Sequence, residues 1–312
     1  MDISVIIVNW NSAKLLEQCL FSIALYLDEL NYEIIVVDNL SEVKEINYLK
    51  KVVQPKFPQA RFIYNQQNAG FAKGNNLALK MAKGSYVLLL NPDTLFIDKG
   101  FGDLIKLLQN KKIGLVGCKL LNADRTTQIS CFRFPRLWRV MAMSFLIHKF
   151  LPTSWRRNFV YSPKDLESQQ TPDWILGAFM LMPREVIESI GGLDEEIFMY
   201  GEDMDLCYRV RALGLDIVYY PEFQIIHYGD ASGSQAWSNA KREVMVYKAI
   251  FYFYRKHFGR GRLLLARGFY ALSALIKLAA YTFSLLKPGP AEKAFHEMRT
   301  QWQVLLTQFN LR

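Results

Sequence analysis

The residues best equipped for chemistry are the acids of Gly201-Glu202-Asp203-Met204-Asp205. Three carboxylates within four residues repel one another, and a chain tolerates them where they open a helix or hold a proton or a cation. Leu206 to Leu213, closed by Gly214, reads as a short helix, and acids in its first turn complement the helix dipole at about 0.3–1 kcal/mol each. Capping is therefore one reading. The neighbours supply another: Phe198, Met199 and Tyr200 on one side and Leu206, Tyr208 and Val210 on the other are apolar or aromatic. They place the acids at a pocket wall, where a raised proton affinity suits a general base.

The elements that must position such a site are legible upstream. Ile3 to Val8 is a continuous β-branched run of the kind buried on both faces of a sheet. Ser12 is expected to cap a helix that carries Leu15, Leu16, Cys19, Leu20 and Ile23 at spacings of three and four. Further strands are predicted at Ile34–Val37, Arg61–Tyr64 and Tyr86–Leu90. Strands alternating with helices imply an α/β fold with a doubly wound, mostly parallel sheet, whose ligands bind beyond the carboxyl ends of the strands. Polar residues gather there: Asn9 and Asn11, then Asp38, then Asn68 to Asn76, then Asp93. A turn role explains any one of them, and several together point to a ligand. In Asn68-Ala69-Gly70-Phe71-Ala72-Lys73-Gly74-Asn75-Asn76, the glycines Gly70 and Gly74 would let a phosphate approach a helix N-terminus; a tight helix entry is the alternative.

Composition bounds the rest. In 312 residues, 51% of them hydrophobic, there is material for a large core. Cys19, Cys118, Cys131 and Cys207 fit neither a metal pair nor a disulfide framework, which favours a reducing compartment. Met1 to Ser4 lacks a basic leader and Val5–Val8 is too short to span a bilayer, so a cytoplasmic location is expected. The net charge of +9 is concentrated late: residues 241–312 hold 13 Lys and Arg against 3 acids, and the first 240 hold 25 against 26. Such a tail points to an anionic surface, nucleic acid or membrane.

The motifs VIIVNWN, VVDN, NAGFAKGNN, an apolar strand ending in Asn91-Pro92-Asp93, and GEDMDLC occur in this order over residues 1 to about 230. Together they resemble the family 2 glycosyltransferases of the GT-A fold, and within them the bacterial rhamnosyltransferases, which use dTDP-rhamnose. The resemblance implies a nucleotide-sugar donor (dTDP- or UDP-linked), with Asp38 hydrogen-bonding the pyrimidine and Val8, Asn9 and Asn11 lining base and ribose. Asp93 would hold a divalent cation, Mg²⁺ or Mn²⁺, on the diphosphate. Asn91 stands where the family has a further acid, so weak metal affinity without nucleotide is expected. Asn75 stands where the family often has Arg, which removes a charged diphosphate contact. His227, after an apolar strand, resembles a further metal ligand of many GT-A enzymes; a structural role is the alternative. By alignment Asp203 would be the base and Glu202 would orient it or the acceptor, while Asp205 caps the helix. One base and one face of attack imply inversion. Gly177 would admit the sugar and Trp174 would stack on it, unless Trp174 is a core residue.

The domain reading that follows is a catalytic domain over 1–240 and a basic amphipathic helical tail over 241–312. Residues 122–171 set Arg133, Arg136, Arg139, Arg156 and Arg157 among aromatics, as a flexible acceptor or membrane flap or an ordinary helical insertion. Leu263 to Leu286 is long enough to span a bilayer. Its Arg267, Ala271, Ala274, Lys277 and Tyr281 share one stripe and Leu265, Phe269, Leu272, Ile276 and Phe283 the other, which favours a helix lying in the interface. A last helix is expected after Lys287-Pro288-Gly289-Pro290. The expected partners are the donor, a glycan acceptor carried on a lipid, and the anionic cytoplasmic face of the membrane, with no nucleic acid. A nucleotidyltransferase is the enzymatic rival, but it would show a Gly-rich basic loop where this chain has Asn9-Trp10-Asn11-Ser12. A non-catalytic sugar-nucleotide or membrane-binding module would lack Asp93 or Asp203.

Overall fold

A computed structural model describes residues 1–27, 30–229 and 239–284, and near the C-terminus 298–299, 301–303 and 305–306; most of the helix expected after Pro290 lies outside these. The chain forms two compact units, Met1–Arg133 with Val160–Gln235, and Phe134–Phe159 with Ala236–Arg312. Of the stretch 122–171, residues 134–159 therefore group with the C-terminal helices and the rest with the sheet. The strands are β1 (Ile3–Asn9), β2 (Tyr32–Asp38), β3 (Ala60–Tyr64), β4 (Tyr86–Leu90), β5 (Thr94–Phe96), β6 (Ile113–Leu121), β7 (Cys131–Phe132), β8 (Trp174–Ile175), β9 (Phe179–Pro183) and β10 (Asp216–His227). The helices used below are α1 (Ala13–Tyr26), α2 (Phe71–Leu79), α3 (Leu137–Ser144), α4 (Glu202–Ala212), α5 (Asn239–His257) and α6 (Gly259–Ser284).

In the first unit eight strands form one sheet in the order β3-β2-β1-β4-β9-β6-β10-β5. The pairs β1–β2, β2–β3, β1–β4 and β6–β10 are parallel. Strand β9 runs antiparallel between β4 and β6, and β5 antiparallel along β10. The β-branched run of β1 is buried at every position, as a strand with both faces covered requires. Behind the sheet, Phe96, Phe101, Phe179 and Phe223 pack ring on ring with centroids 5.7–6.2 Å apart. All four cysteines are buried and free. Helix α1 starts where expected, but Ser12 does not cap it: its hydroxyl donates back to the Trp10 carbonyl, and the Ala13 N–H is met by Glu45 Oε2 at 3.0 Å. A carboxylate from a neighbouring element satisfies the helix start better than a short serine turned the other way.

In the second unit α3 and α6 pack around Val140, Tyr254 and Ala266, with Leu137, Ile250, Phe258 and Tyr270 against them. The face of α6 turned inward includes Arg267 and Ala274, and Arg267 lies over the Phe251 ring at 5.2 Å. Lys277 is exposed, and Leu264, Leu265, Leu272, Leu275 and Ile276 form an exposed apolar stripe. The expected arrangement of α6 is thus corrected for one cation: Arg267 is held inside by an aromatic ring and does not reach solvent. Phe269 is half-buried, its ring 6.1 Å from that of Phe145, and the side chain of Phe283 lies outside the described residues. Among the described residues one helix, Gly259–Thr282, is long and apolar enough to cross a membrane. Around α3 the apolar exposure continues with Trp138, Leu146, Ile147 and Trp155, and Phe150 is 87% exposed.

Helix α4 carries the acidic cluster, and Gly214 closes it with φ +78. Asp205 is not its cap. It is fully buried and paired with Arg209 at 2.7 Å, and the same guanidinium donates to the carbonyls of Ile190 and Gly192. Removing one member of a buried pair strands the other charge. We expect Asp205→Ala to lower unfolding stability by about 3 kcal/mol in denaturant titrations. A loss below about 0.5 kcal/mol would remove the pair from the core's support.

Candidate active site

A cavity of about 390 Å³ opens at the carboxyl ends of β1, β4 and β10. Of the candidates read from the sequence, Val8, Asn68, Asn91, Asp93, Gly177, Glu202, Asp203 and His227 line it. They come from six separate stretches of chain, and the sheet topology is what gathers them.

One end of the cluster is the pair Asp93 and His227. Strand β5 turns back after Asn91-Pro92-Asp93 to pair with β10, so that Thr94 faces His227 and the Tyr228 N–H reaches the Asp93 carbonyl at 3.0 Å. Asp93 Oδ1 lies 3.4 Å from His227 Nε2, and Asn91 Nδ2 lies 3.3 Å from the same nitrogen. Both side chains are nearly buried. A carboxylate and an imidazole nitrogen so close can share a proton or a metal ion. One oxygen and one nitrogen donor suit Mn²⁺ or Mg²⁺ whose remaining positions are filled by phosphate and water. The residues therefore fit a divalent cation as a two-ligand site; among the described residues no cluster of three or more His, Cys, Asp or Glu is arranged to hold a metal ion.

The other end is Glu202 and Asp203 at the start of α4. The chain reaches them through Tyr200 at φ +66 and Gly201 at φ +145, a strained turn that sets the acids against the cavity. Asp203 accepts from the N–H of Gly177 at 3.1 Å and of Met204 at 2.8 Å. Glu202 is buried and accepts from the Gly201 N–H at 3.0 Å. Burial pushes the Glu202 carboxyl up to about 8, with the Asp203 charge adding to it. Burial also pushes Asp203 up, to about 6, against the pull of its two N–H donors. The pair consequently retains a proton near neutral pH, and its raised proton affinity suits a general base.

The remaining candidates meet protein partners in their surroundings. Asp38 is buried beneath the wall, where its carboxylate takes hydrogen bonds from Asn9 Nδ2, Ser41 Oγ and the Ser41 N–H. Asn9 and Asn11 are tied into the same network, Asn11 at φ +52 with its side chain accepting from the Glu42 N–H. The three hold the loops after β1 and β2 together. A Cβ on Gly70 would stand 2.7 Å from the Phe198 carbonyl, and one on Gly74 would stand 2.9 Å from Val8 Cγ1. Neither position has room for a side chain. Asn75 is buried and donates to the Phe71 carbonyl. Trp174 donates to the Arg133 carbonyl at 3.2 Å and stacks on Phe132 at 4.3 Å, so its ring is committed to the β7–β8 ribbon.

Tyr200 of the expected pocket wall and Trp10 of the loop after β1 line the cavity, and so do Asn39 and Gln128, which were not singled out. Asn39 had a signal, since it follows Asp38 at a strand end; its side chain links Asn65, Asn68 and Gly70. Gln128 had none, because the loop after β6 carries no motif.

A family model described as glycosyltransferase-like family 2 matches residues 1–246. Rhamnosyltransferase WbbL of Escherichia coli (strain K12) is 29% identical over 259 residues, 80% of this chain and 90% of that protein. N-acetylglucosaminyl-diphospho-decaprenol L-rhamnosyltransferase of Mycobacterium tuberculosis is 26% identical over 243 residues, 72% of this chain and 75% of that one. O-antigen biosynthesis protein RfbC of Myxococcus xanthus is 29% identical over 211 residues, which are 65% of this chain and 15% of that much longer protein. The mannosyltransferase PcManGT of Pyrobaculum calidifontis, solved with GDP-Man and Mn²⁺, superposes with a TM-score of 0.57 at 17% identity, over 99% of this chain and 87% of that one, a likeness of fold.

The proton shared by Glu202 and Asp203 has a consequence for stability. In the unfolded chain both carboxyls titrate near about 4. The folded protein keeps protons that the unfolded chain has lost between there and about 8. Stability therefore falls as pH rises through that window. We expect Glu202→Gln to raise the unfolding temperature relative to the wild type more at pH 8 than at pH 5, and equal shifts at both would show that Glu202 is not held protonated.

Proposed function

Because the chain belongs to glycosyltransferase family 2, we propose that it is an inverting glycosyltransferase which moves L-rhamnose from dTDP-rhamnose to a lipid-linked glycan acceptor in cell-surface polysaccharide synthesis. The observation that carries this reading is the placement of the Glu202 and Asp203 carboxyls in the same cavity as Asp93 and His227. The donor and acceptor follow the relatives named as rhamnosyltransferases, one of them acting on a diphospho-decaprenol-linked sugar by its name.

In this reading Asp203 accepts the proton of the acceptor hydroxyl as that oxygen bonds the anomeric carbon and the bond from that carbon to the donor diphosphate breaks. The N–H groups of Gly177 and Met204 keep the carboxylate aimed while leaving lone pairs for the acceptor. Glu202 holds its proton and orients the pair. Asp93 and His227 would hold a divalent cation, Mg²⁺ or Mn²⁺, which when bound neutralises charge on the departing diphosphate. Attack on the face opposite the leaving group inverts the anomeric carbon. Asp38, Asn9 and Asn11 order the loops on which Val8, Trp10 and Asn39 meet the nucleotide.

The second unit suits a role at the cytoplasmic face of the membrane, as a peripheral attachment. The exposed stripe of α6 and the aromatic residues around α3 supply apolar contact, and exposed Arg260, Arg262 and Lys277 supply attraction to anionic lipid at about 1 kcal/mol each. We expect the full chain to float with anionic vesicles and to float less at high salt. The triple variant Leu265→Glu, Leu272→Glu, Ile276→Glu should stay in the soluble fraction; flotation of that variant at wild-type levels would exclude the α6 stripe as the contact.

For the chemistry, we expect Asp203→Asn to lower turnover of dTDP-rhamnose by about 10²–10⁴-fold. Stabilisation by thymidine diphosphate with Mn²⁺ should persist in thermal-shift measurements, and adenosine or guanosine diphosphate should not replace it. Turnover within about twofold of wild type would remove Asp203 from the base role.

A further inference from the structure

The loop after β6 fixes the direction of a hydrogen-bond chain that ends on His227. Its outer end is the exposed carboxylate of Asp124, which accepts the Thr126 hydroxyl at 2.6 Å and the Thr126 N–H at 3.0 Å. These two bonds hold the Asp124 carboxyl below its usual range, so it is an acceptor only. With its proton given to Asp124, the Thr126 oxygen accepts from Asn122 Nδ2 at 2.9 Å. That turns Asn122 Oδ1 toward Gln128, whose Nε2 donates to it at 3.0 Å and reaches the His227 carbonyl at 3.5 Å. The Gln128 oxygen is left facing His227 Nδ1 at 2.7 Å. An amide oxygen cannot donate, so Nδ1 carries the proton. In the neutral ring the Nε2 lone pair then faces Asn91 and Asp93, the reverse of the tautomer a free imidazole prefers.

We propose that Gln128 is a positioning residue for the donor site: through the chain Asp124–Thr126–Asn122–Gln128 it locks His227 with the proton on Nδ1 and presents Nε2, beside Asp93, to a divalent cation. The proposal rests on the reading of the cavity as a diphosphate-sugar site, and it adds the loop 122–128 to that site. The loop has other anchors, since the Gln128 N–H donates to the Leu120 carbonyl at 2.8 Å, so the amide side chain is free to serve the ring.

Nitrogen NMR of protein labelled with ¹⁵N-histidine tests the proposal without substrate or metal, the His227 signals being identified by their loss in His227→Asn. At a pH where the imidazole is neutral, the wild type should carry the His227 proton on Nδ1, and so should Gln128→Glu, whose carboxylate still accepts that proton. Gln128→Leu should lose this tautomer preference. Calorimetric titration of Mn²⁺ into protein with thymidine diphosphate should then show affinity reduced about 10–100-fold in Gln128→Leu and retained in Gln128→Glu. An Nδ1-unprotonated ring in the wild type, or a Leu variant with unchanged tautomer and affinity, would overturn the proposal. A wild type with the expected tautomer that takes up no Mn²⁺ with nucleotide would instead overturn the donor-cation reading and leave the Gln128–His227 couple standing.

Discussion

The site depends on one reversed strand. In a fully parallel sheet only the carboxyl ends of strands face the ligand side, yet β9 enters antiparallel between β4 and β6. Its start therefore arrives where the parallel strands finish, opposite Leu90. The two residues before it become a latch: the Asn91 N–H donates to the Ala178 carbonyl at 3.0 Å and the Gly177 N–H donates to Asp203 at 3.1 Å. One short piece of backbone thus joins the loop that carries Asp93 to the carboxylate that heads α4. Main-chain hydrogen bonds suit this task because they hold position without supplying a charge that would alter proton affinity by Coulomb attraction.

Around this latch, polar residues divide into those that serve other protein groups and those that face the cavity. Asp38, Asn9, Ser41 and Asn11 are hydrogen-bonded into one network, and Asn39, Asn65 and Asn68 into another. Several asparagines at strand ends allow loops to cross-link through neutral amides, which give and accept hydrogen bonds at less desolvation cost than ions. Among the described residues, the carboxyl groups that do reach the cavity, Asp93, Glu202 and Asp203, are salt-bridged to no Lys or Arg. Asp205, two residues beyond Asp203, shows the contrast: salt-bridged to Arg209, it is spent on the fold.

The sheet was legible because buried β-branched runs have few other uses, and β1 to β4 fall where Ile3–Val8, Ile34–Val37, Arg61–Tyr64 and Tyr86–Leu90 predict them. The chemical residues were partly legible for the same reason that they are costly: Glu202, Asp203, Asp93 and His227 are types a chain seldom buries. What could not be read was which neighbour each polar or small residue meets. Gly70 and Gly74 leave space whether a phosphate or Phe198 and Val8 fill it. Trp174 offers a ring whether to a sugar or to Phe132. The periodicity of α6 separates two faces without saying which points inward, and Arg267 turned inward because Phe251 gives its guanidinium an aromatic face. Gln128 is the extreme case, a common residue in a loop whose role exists only through its partner.

Asn91 gives the cation site its balance. With Gln128 holding the proton on Nδ1, the lone pair of His227 Nε2 looks toward the Asp93 carboxylate 3.4 Å away, and two electron-rich atoms repel at that distance. The Asn91 amide, 3.3 Å from the same nitrogen, donates a proton to it and relieves the contact while no cation is present. A carboxylate at position 91 would add a third electron-rich group and keep the cluster together only with a cation bound. Two protein donors and one neutral amide would thus leave most of a cation's coordination to water and to the oxygens of a bound ligand.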